Sequence, residues 1–227
     1  MGIKKWWFIF VFHLLVFQST ADAFIVINEI LADPPSGLAG DANGDSISSS
    51  SQDEFIELLN TGQDAVDLSG WHLNDALSPR HIFNAGTILP SHQFIVVFGG
   101  GTPNLPGVLT KTASSGTLSL NNLGDQVLLY DHLSVLIDQV SYGPEGNSDK
   151  SLSRFPEGTG SDFVLHSLVT GANGKIFSPG TTVDGQVLWP DVSVDRQATV
   201  PEPSSMILLN LGLAALYLRR RNRDQKA

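Results

Sequence analysis

The 227 residues contain no cysteine. Disulfide staples, thiolate metal sites and a cysteine nucleophile are therefore unavailable, and stability has to come from a buried core. Long apolar runs are missing too. The two that come nearest, about twelve residues at 6–17 and about fifteen at 204–218, fall short of the roughly 20 needed to cross a bilayer as a helix. No stretch sustains a helical period, and no Gly-x-Ser-x-Gly elbow is present. Gly99-Gly100-Gly101 is followed by Thr102-Pro103 and no Lys, so it reads as a loop and not as a phosphate-binding helix start.

Positive charge is scarce and sits at the ends. There are 13 Lys+Arg against 23 Asp+Glu, a net charge of −10. Setting aside Lys4, Lys5, Asp22 and the charged residues after Leu218 leaves about 6 basic and about 21 acidic residues, or about −15. Such a field repels phosphate backbones and anionic lipid headgroups. It argues against nucleic acid as a partner and favours divalent cations or cationic surfaces.

What is present begins with the two ends. Lys4 and Lys5 precede the apolar block at 6–17, and Ala21-Asp22-Ala23 supplies the small-x-small pattern of a signal peptidase site. Residues 1–23 are expected to form a signal helix that is removed between Ala23 and Phe24. An uncleaved membrane helix is the rival reading, and the shortness of the block weighs against it. At the other end Val200-Pro201-Glu202-Pro203-Ser204 leads into the apolar run 206–218 and the stop-transfer cluster Arg219, Arg220, Arg221 and Arg223. A rigid element, one short hydrophobic helix and a positive stop are the layout of a membrane-held sorting tag, with the arginines cytoplasmic and the rest of the chain on the far side. Residues 200–224 resemble the PEP-CTERM sorting signal that Gram-negative bacteria recognise with exosortases. The resemblance implies anchoring in the inner membrane through the C-terminus, an exosortase-type enzyme as partner, and delivery to the cell envelope or the extracellular matrix. An ordinary single-span tail anchor is the alternative.

Between the ends, short β-branched and aromatic runs alternate with Gly, Pro, Asn and Asp, the pattern of an all-β chain. Strands are expected at 24–31, 54–59, 65–73, 81–83, 93–98, 116–120, 126–130, 135–142 and 151–155. From 183 to 199 the pattern fades into a spacer. The ordered motifs Val26-Ile27-Asn28-Glu29-Ile30, Asp53-Glu54-Phe55-Ile56-Glu57-Leu58-Leu59-Asn60, Leu68-Ser69-Gly70-Trp71, Leu118-Ser119-Leu120-Asn121-Asn122, Lys150-Ser151-Leu152-Ser153-Arg154 and Ser178-Pro179-Gly180 resemble the lamin-tail domain across 24–182. The resemblance implies an immunoglobulin-like β-sandwich of the kind found in bacterial surface modules, and it brings no catalytic residues with it.

One segment has the composition of a site. Asp41, Asn43 and Asp45 have the alternate spacing of a calcium loop, which needs hard oxygen ligands converging from a tight turn. Ser46 stands where glycine is expected, and Gln52 where a bidentate Glu is expected, so Asp53 would have to be drawn in as the closing ligand. A solvated loop of Asx turns explains the same residues. Glu54 and Glu57 are expected to face out or to bind backbone amides, on opposite faces of one strand. Trp71 reads as core or as a sugar-stacking platform, and Arg154 as a loop clamp or a substrate ligand. His72 and His81 would converge only across a hairpin. The resulting expectation is a non-catalytic module for adhesion, matrix contact or ligand display, with calcium as a stabilising ion and extracellular polysaccharide as a partner. The alternatives are a metal-dependent extracellular hydrolase and a purely structural envelope protein.

Overall fold

The computed structural model describes residues 25–188, all within one compact unit. Its strands are β1 (Ile25–Leu31), β2 (Phe55–Asn60), β3 (Val66–Asp67), β4 (His72–Asn74), β5 (Pro79–Ile82), β6 (Ile88–Leu89), β7 (Phe94–Phe98), β8 (Leu109–Thr112), β9 (Asp125–Tyr130), β10 (Leu136–Tyr142), β11 (Leu152–Phe155) and β12 (Asp162–Leu165). Six pair in the order β12-β11-β1-β2-β7-β8, four in the order β10-β9-β4-β5, and β3 with β6. Every pairing is antiparallel except β7 with β8. The fold is all-β and immunoglobulin-like.

Side chains that point inward from both sheets make the main core: Ile27, Ile56, Leu58, Leu73, Ile95, Val97, Val127 and Leu129, closed by Trp71 and Phe83. The sequence of β2, Phe-Ile-Glu-Leu-Leu-Asn, is buried at every position. A strand reads that way only when both its faces are covered. Here the second cover is made by loops. Leu31, Phe55, Val96 and Phe98 point away from the partner sheet into a smaller cluster with Ala42, Leu105, Val108 and Phe177. The Phe55 ring meets Phe98 and Phe177 edge-on, with centroids 5.7 and 6.4 Å away.

Two strand expectations change. The run 65–73 is split into β3 and β4 because Leu68-Ser69-Gly70-Trp71 is a turn, with Trp71 N–H donating to Leu68 O at 2.9 Å and Gly70 at φ 76°. Residues 116–120 join no ladder, with Gly116 and Ser119 at positive φ, whereas β6, β8 and β12 do. The signal helix, the spacer beyond Leu188 and the C-terminal hydrophobic helix lie outside the described residues. Among the described residues no helix is long and apolar enough to cross a membrane.

Candidate functional site

Loops 32–53, 99–108 and 176–182 cover the outer face of the six-stranded sheet, and acidic side chains fasten each of them. In the first, Asp41 accepts from the N–H groups of Asp45 at 3.1 Å and Ser46 at 2.8 Å. Asn43 Oδ1 accepts from Asp45 N–H at 3.0 Å, and Asp45 accepts from Ile47 N–H and Thr102 N–H, each at 2.9 Å. Asp53 closes the loop by accepting from Asn43 N–H at 3.1 Å and Ser49 N–H at 2.7 Å. The four predicted ligand residues therefore do share one loop. Ser46 takes φ 71°, the conformation for which glycine was expected. Burial raises the Asp53 carboxyl above its ordinary range, and the nearby charges of Asp41 and Asp45 push the same way. Among the described residues no three His, Asp or Glu side chains are grouped so as to hold a metal ion.

The three glycines after β7 are the other wall of this loop, a role their sequence did not suggest. A Cβ on Gly101, at φ 75°, would stand 2.5 Å from Asn43 Nδ2 and 2.6 Å from Asp45 Oδ2. One on Gly99 would stand 1.9 Å from Ser51 O. Only glycine permits so close a backbone approach.

A second acidic group lies under residues 176–182. Glu29 on β1 and Glu57 on β2 are register partners, 1% and 0% exposed. Glu29 accepts from Ser151 Oγ at 2.5 Å and from Ser178 N–H and Oγ–H, each at 2.9 Å. Glu57 accepts from Gly180 N–H at 2.6 Å and Asn28 Nδ2 at 2.9 Å. The expectation that Glu54 or Glu57 faces out is corrected. Glu57 shares its face of β2 with Phe55 and Leu59, and the loop cover buries that face. Glu54, immediately before β2, is buried, takes the N–H of Leu120 at 3.4 Å, and is pushed up to about 7 by desolvation.

The remaining candidates take structural positions. Trp71 is in the core. Arg154 donates to Ile27 O and Gly160 O, each at 2.7 Å, and to Asp138 Oδ2 at 2.5 Å, with its guanidinium 5.0 Å from the Phe163 ring centroid, so it is a clamp. His81 pairs in register with the inward Leu73, while His72 pairs with Ile82 and stacks on Tyr130 at 5.0 Å. The two histidines therefore point to opposite faces of one hairpin and do not converge. A groove remains open between the free edges of the two sheets, lined by consecutive residues 139–141 of β10 and 161–164 around β12, with Glu145 and Asp162 on its rim. Lining by consecutive residues marks an edge, since a face would expose alternate ones.

These features define an immunoglobulin-like module whose acids hold loops in place. The chain belongs to the Lamin Tail Domain family, whose model matches residues 18–144, more than half of its length. The PEP-CTERM protein-sorting motif matches residues 199–221. That motif implies export and membrane-associated sorting by exosortase-type machinery in Gram-negative bacteria. No curated protein matches the chain. The family match stops just beyond β10, so β11, β12 and the Ser178–Gly180 contacts fall outside it. The signal cleavage residues, the sorting motif and the stop-transfer arginines lie outside the described residues.

Proposed function

We propose that this chain is a non-catalytic contact module, exported and then held at the cell envelope or in an extracellular polysaccharide matrix for adhesion or ligand display. The observation that carries this reading is the union, in one chain, of a Lamin Tail Domain with a PEP-CTERM motif. The use of the acids supports it, because Asp41, Asp45, Asp53, Glu29 and Glu57 spend oxygens on backbone N–H groups of the loops that cover the sheet. We assign the contact to the groove between β10 and β12, whose rim carboxylates suit an extended cationic segment or a polymer bridged by divalent cations.

Calcium is the ion we propose for the loop at Asp41, Asn43, Asp45 and Asp53. Each carboxylate oxygen that accepts one N–H keeps a second lone pair, and hard oxygen donors at this spacing suit calcium over softer metals. Its role there is to tighten a loop that backbone amides already order.

Deleting residues 199–221 and following the protein in cell fractions tests the whole reading. Accumulation of an exported, unsorted form, together with loss of binding to isolated matrix, supports it. Unchanged delivery of the deletion variant to the envelope sinks the sorting role. Unchanged matrix binding after Glu145→Gln with Asp162→Asn sinks the groove.

A further inference from the structure

We propose that Glu29 and Glu57 are a pH-operated latch on residues 176–182, gripping that segment while they hold a shared proton and releasing it when both are ionised. The argument starts from register. Glu29 and Glu57 are direct cross-strand partners on the outer face of the sheet, and like charges so placed repel. Both are fully buried, and among the described residues neither is paired with a Lys or Arg. Their oxygens are instead the seats for the segment above them: Ser178 N–H and Oγ–H on Glu29, and Gly180 N–H on Glu57. Ser151 ties the same point down by donating its hydroxyl to Glu29 and its N–H to Ile176 O. The segment is wedged as well as bonded, since the Cβ position of Gly180, at φ 77°, is filled by Val108.

The neighbours decide the direction of the switch. His166, from the turn after β12, places Nδ1 3.5 Å from Glu29 Oε1 while sharing that nitrogen with Ser153 Oγ at 2.9 Å. Burial pushes His166 down to about 4, so near neutral pH it brings no compensating charge. Glu157, from the β11–β12 connection, adds a further acid beside Asn28. Asp184 lies near Glu157, and Lys175 donates its ammonium to Asp184 O. Desolvation accordingly raises Glu29 and raises Glu57 further, the charge of Glu29 adding to the effect on its partner. As the pH rises the second proton leaves, and opening of the segment is the change that admits water to both charges.

Hydrogen exchange on the full chain in detergent tests this, with peptides spanning 176–187 followed from about pH 5 to about pH 9 and corrected for intrinsic exchange. The expected result is protection at Ser178 and Gly180 that falls about tenfold per pH unit, relative to β2, above the point where the second proton leaves. Glu29→Gln should flatten that fall. Its amide oxygen can accept from Ser178 N–H and Ser151 Oγ–H, and its NH2 can donate to Ser178 Oγ. Protection of 176–187 that parallels β2 at every pH overturns the proposal. Should the variant not fold, the carboxyl carbon shift of Glu57 in the wild-type chain decides instead, and a titration midpoint at the ordinary glutamate value overturns the latch.

Discussion

Arg154 of β11 and Asp138 of β10 meet at 2.5 Å, so an arginine of the six-stranded sheet holds a carboxylate of the four-stranded sheet. Asp138 also accepts Ile27 N–H at 2.8 Å, and Arg154 donates to Ile27 O, so the two residues together cap the backbone where β1 bulges. Arg154→Ala should cost about 3 kcal/mol, because it strands a half-buried carboxylate and two carbonyls. Arg154→Lys should recover little of that, since an ammonium cannot span three acceptors set around a planar fork. Urea unfolding midpoints check both, and a loss no greater than that of an exposed substitution contradicts the clamp.

Glycine replacements separate backbone strain from crowding. Gly86 and Gly101 have φ 78° and φ 75°, yet a Cβ meets nothing within 4 Å at the first and three polar side-chain atoms at the second. Gly86→Ala should therefore cost only the left-handed strain, about 1 kcal/mol. Gly101→Ala should cost more and should also loosen the Asp45 to Thr102 contact. Equal losses in thermal melts refute the packing of the glycine wall against the acidic loop.

His81 gives an acid-side slope. Burial pushes its imidazole from 6.5 down to about 4, so the folded chain refuses a proton that the unfolded chain accepts. The stability this group preserves is complete above about pH 6.5 and is lost as pH falls toward 4, by about 3 kcal/mol at most. His81→Leu should flatten the difference between stability at pH 7 and pH 5, because leucine has no proton to take up on unfolding. His166 titrates over the same range, so the wild-type and variant curves must be subtracted and not read singly.

Calcium binding at the Asp41 loop should raise the melting temperature, with stabilisation reaching about 2.7 kcal/mol at a hundredfold excess over the dissociation constant. Asp41→Ala with Asp45→Ala should abolish the calcium effect. It should also lower stability without calcium, since the N–H groups of Ser46, Ile47 and Thr102 lose their acceptors. A melting curve indifferent to millimolar calcium removes the ion from the account.

The sandwich was legible where a strand is long and apolar. β1, β7, β10 and β11 fall inside expected segments, β2 and β9 overrun theirs by one residue, and Trp71 and Arg154 occupy the core and the clamp that their chemistry suggested. β3, β6 and β8 are two to four residues long, and strands so short carry no period for a sequence to display. The burial of Glu57 was readable in principle, since Phe55 and Leu59 flank it on the same face, but alternation of polar and apolar residues suggested a wet outer surface. What covers that surface is set by loops distant in the chain, with Phe177 reaching Phe55 and Gly180 reaching Glu57 across more than a hundred positions. No local pattern encodes such contacts. The loop at Asp41 was found by spacing, whereas its glycine wall was not, because close approach between two loops leaves no mark in either one.

The bulge at Asn28 sets a rule of length for this chain. Ile27 pairs with Leu58 and Glu29 with Glu57, so one extra residue lets Ile27 and Ile30 face the core while Glu29 turns to the loop cover. Deleting Asn28 would leave Ile27, Glu29 and Ile30 consecutive opposite Leu58, Glu57 and Ile56, so each keeps its side, whereas losing a residue from the regular stretch after the bulge would exchange the two sides from that point on. Substitutions along β1 are thus graded by chemistry, and an in-frame deletion of one codon is an all-or-none event in the regular stretch but preserves facing at the bulge.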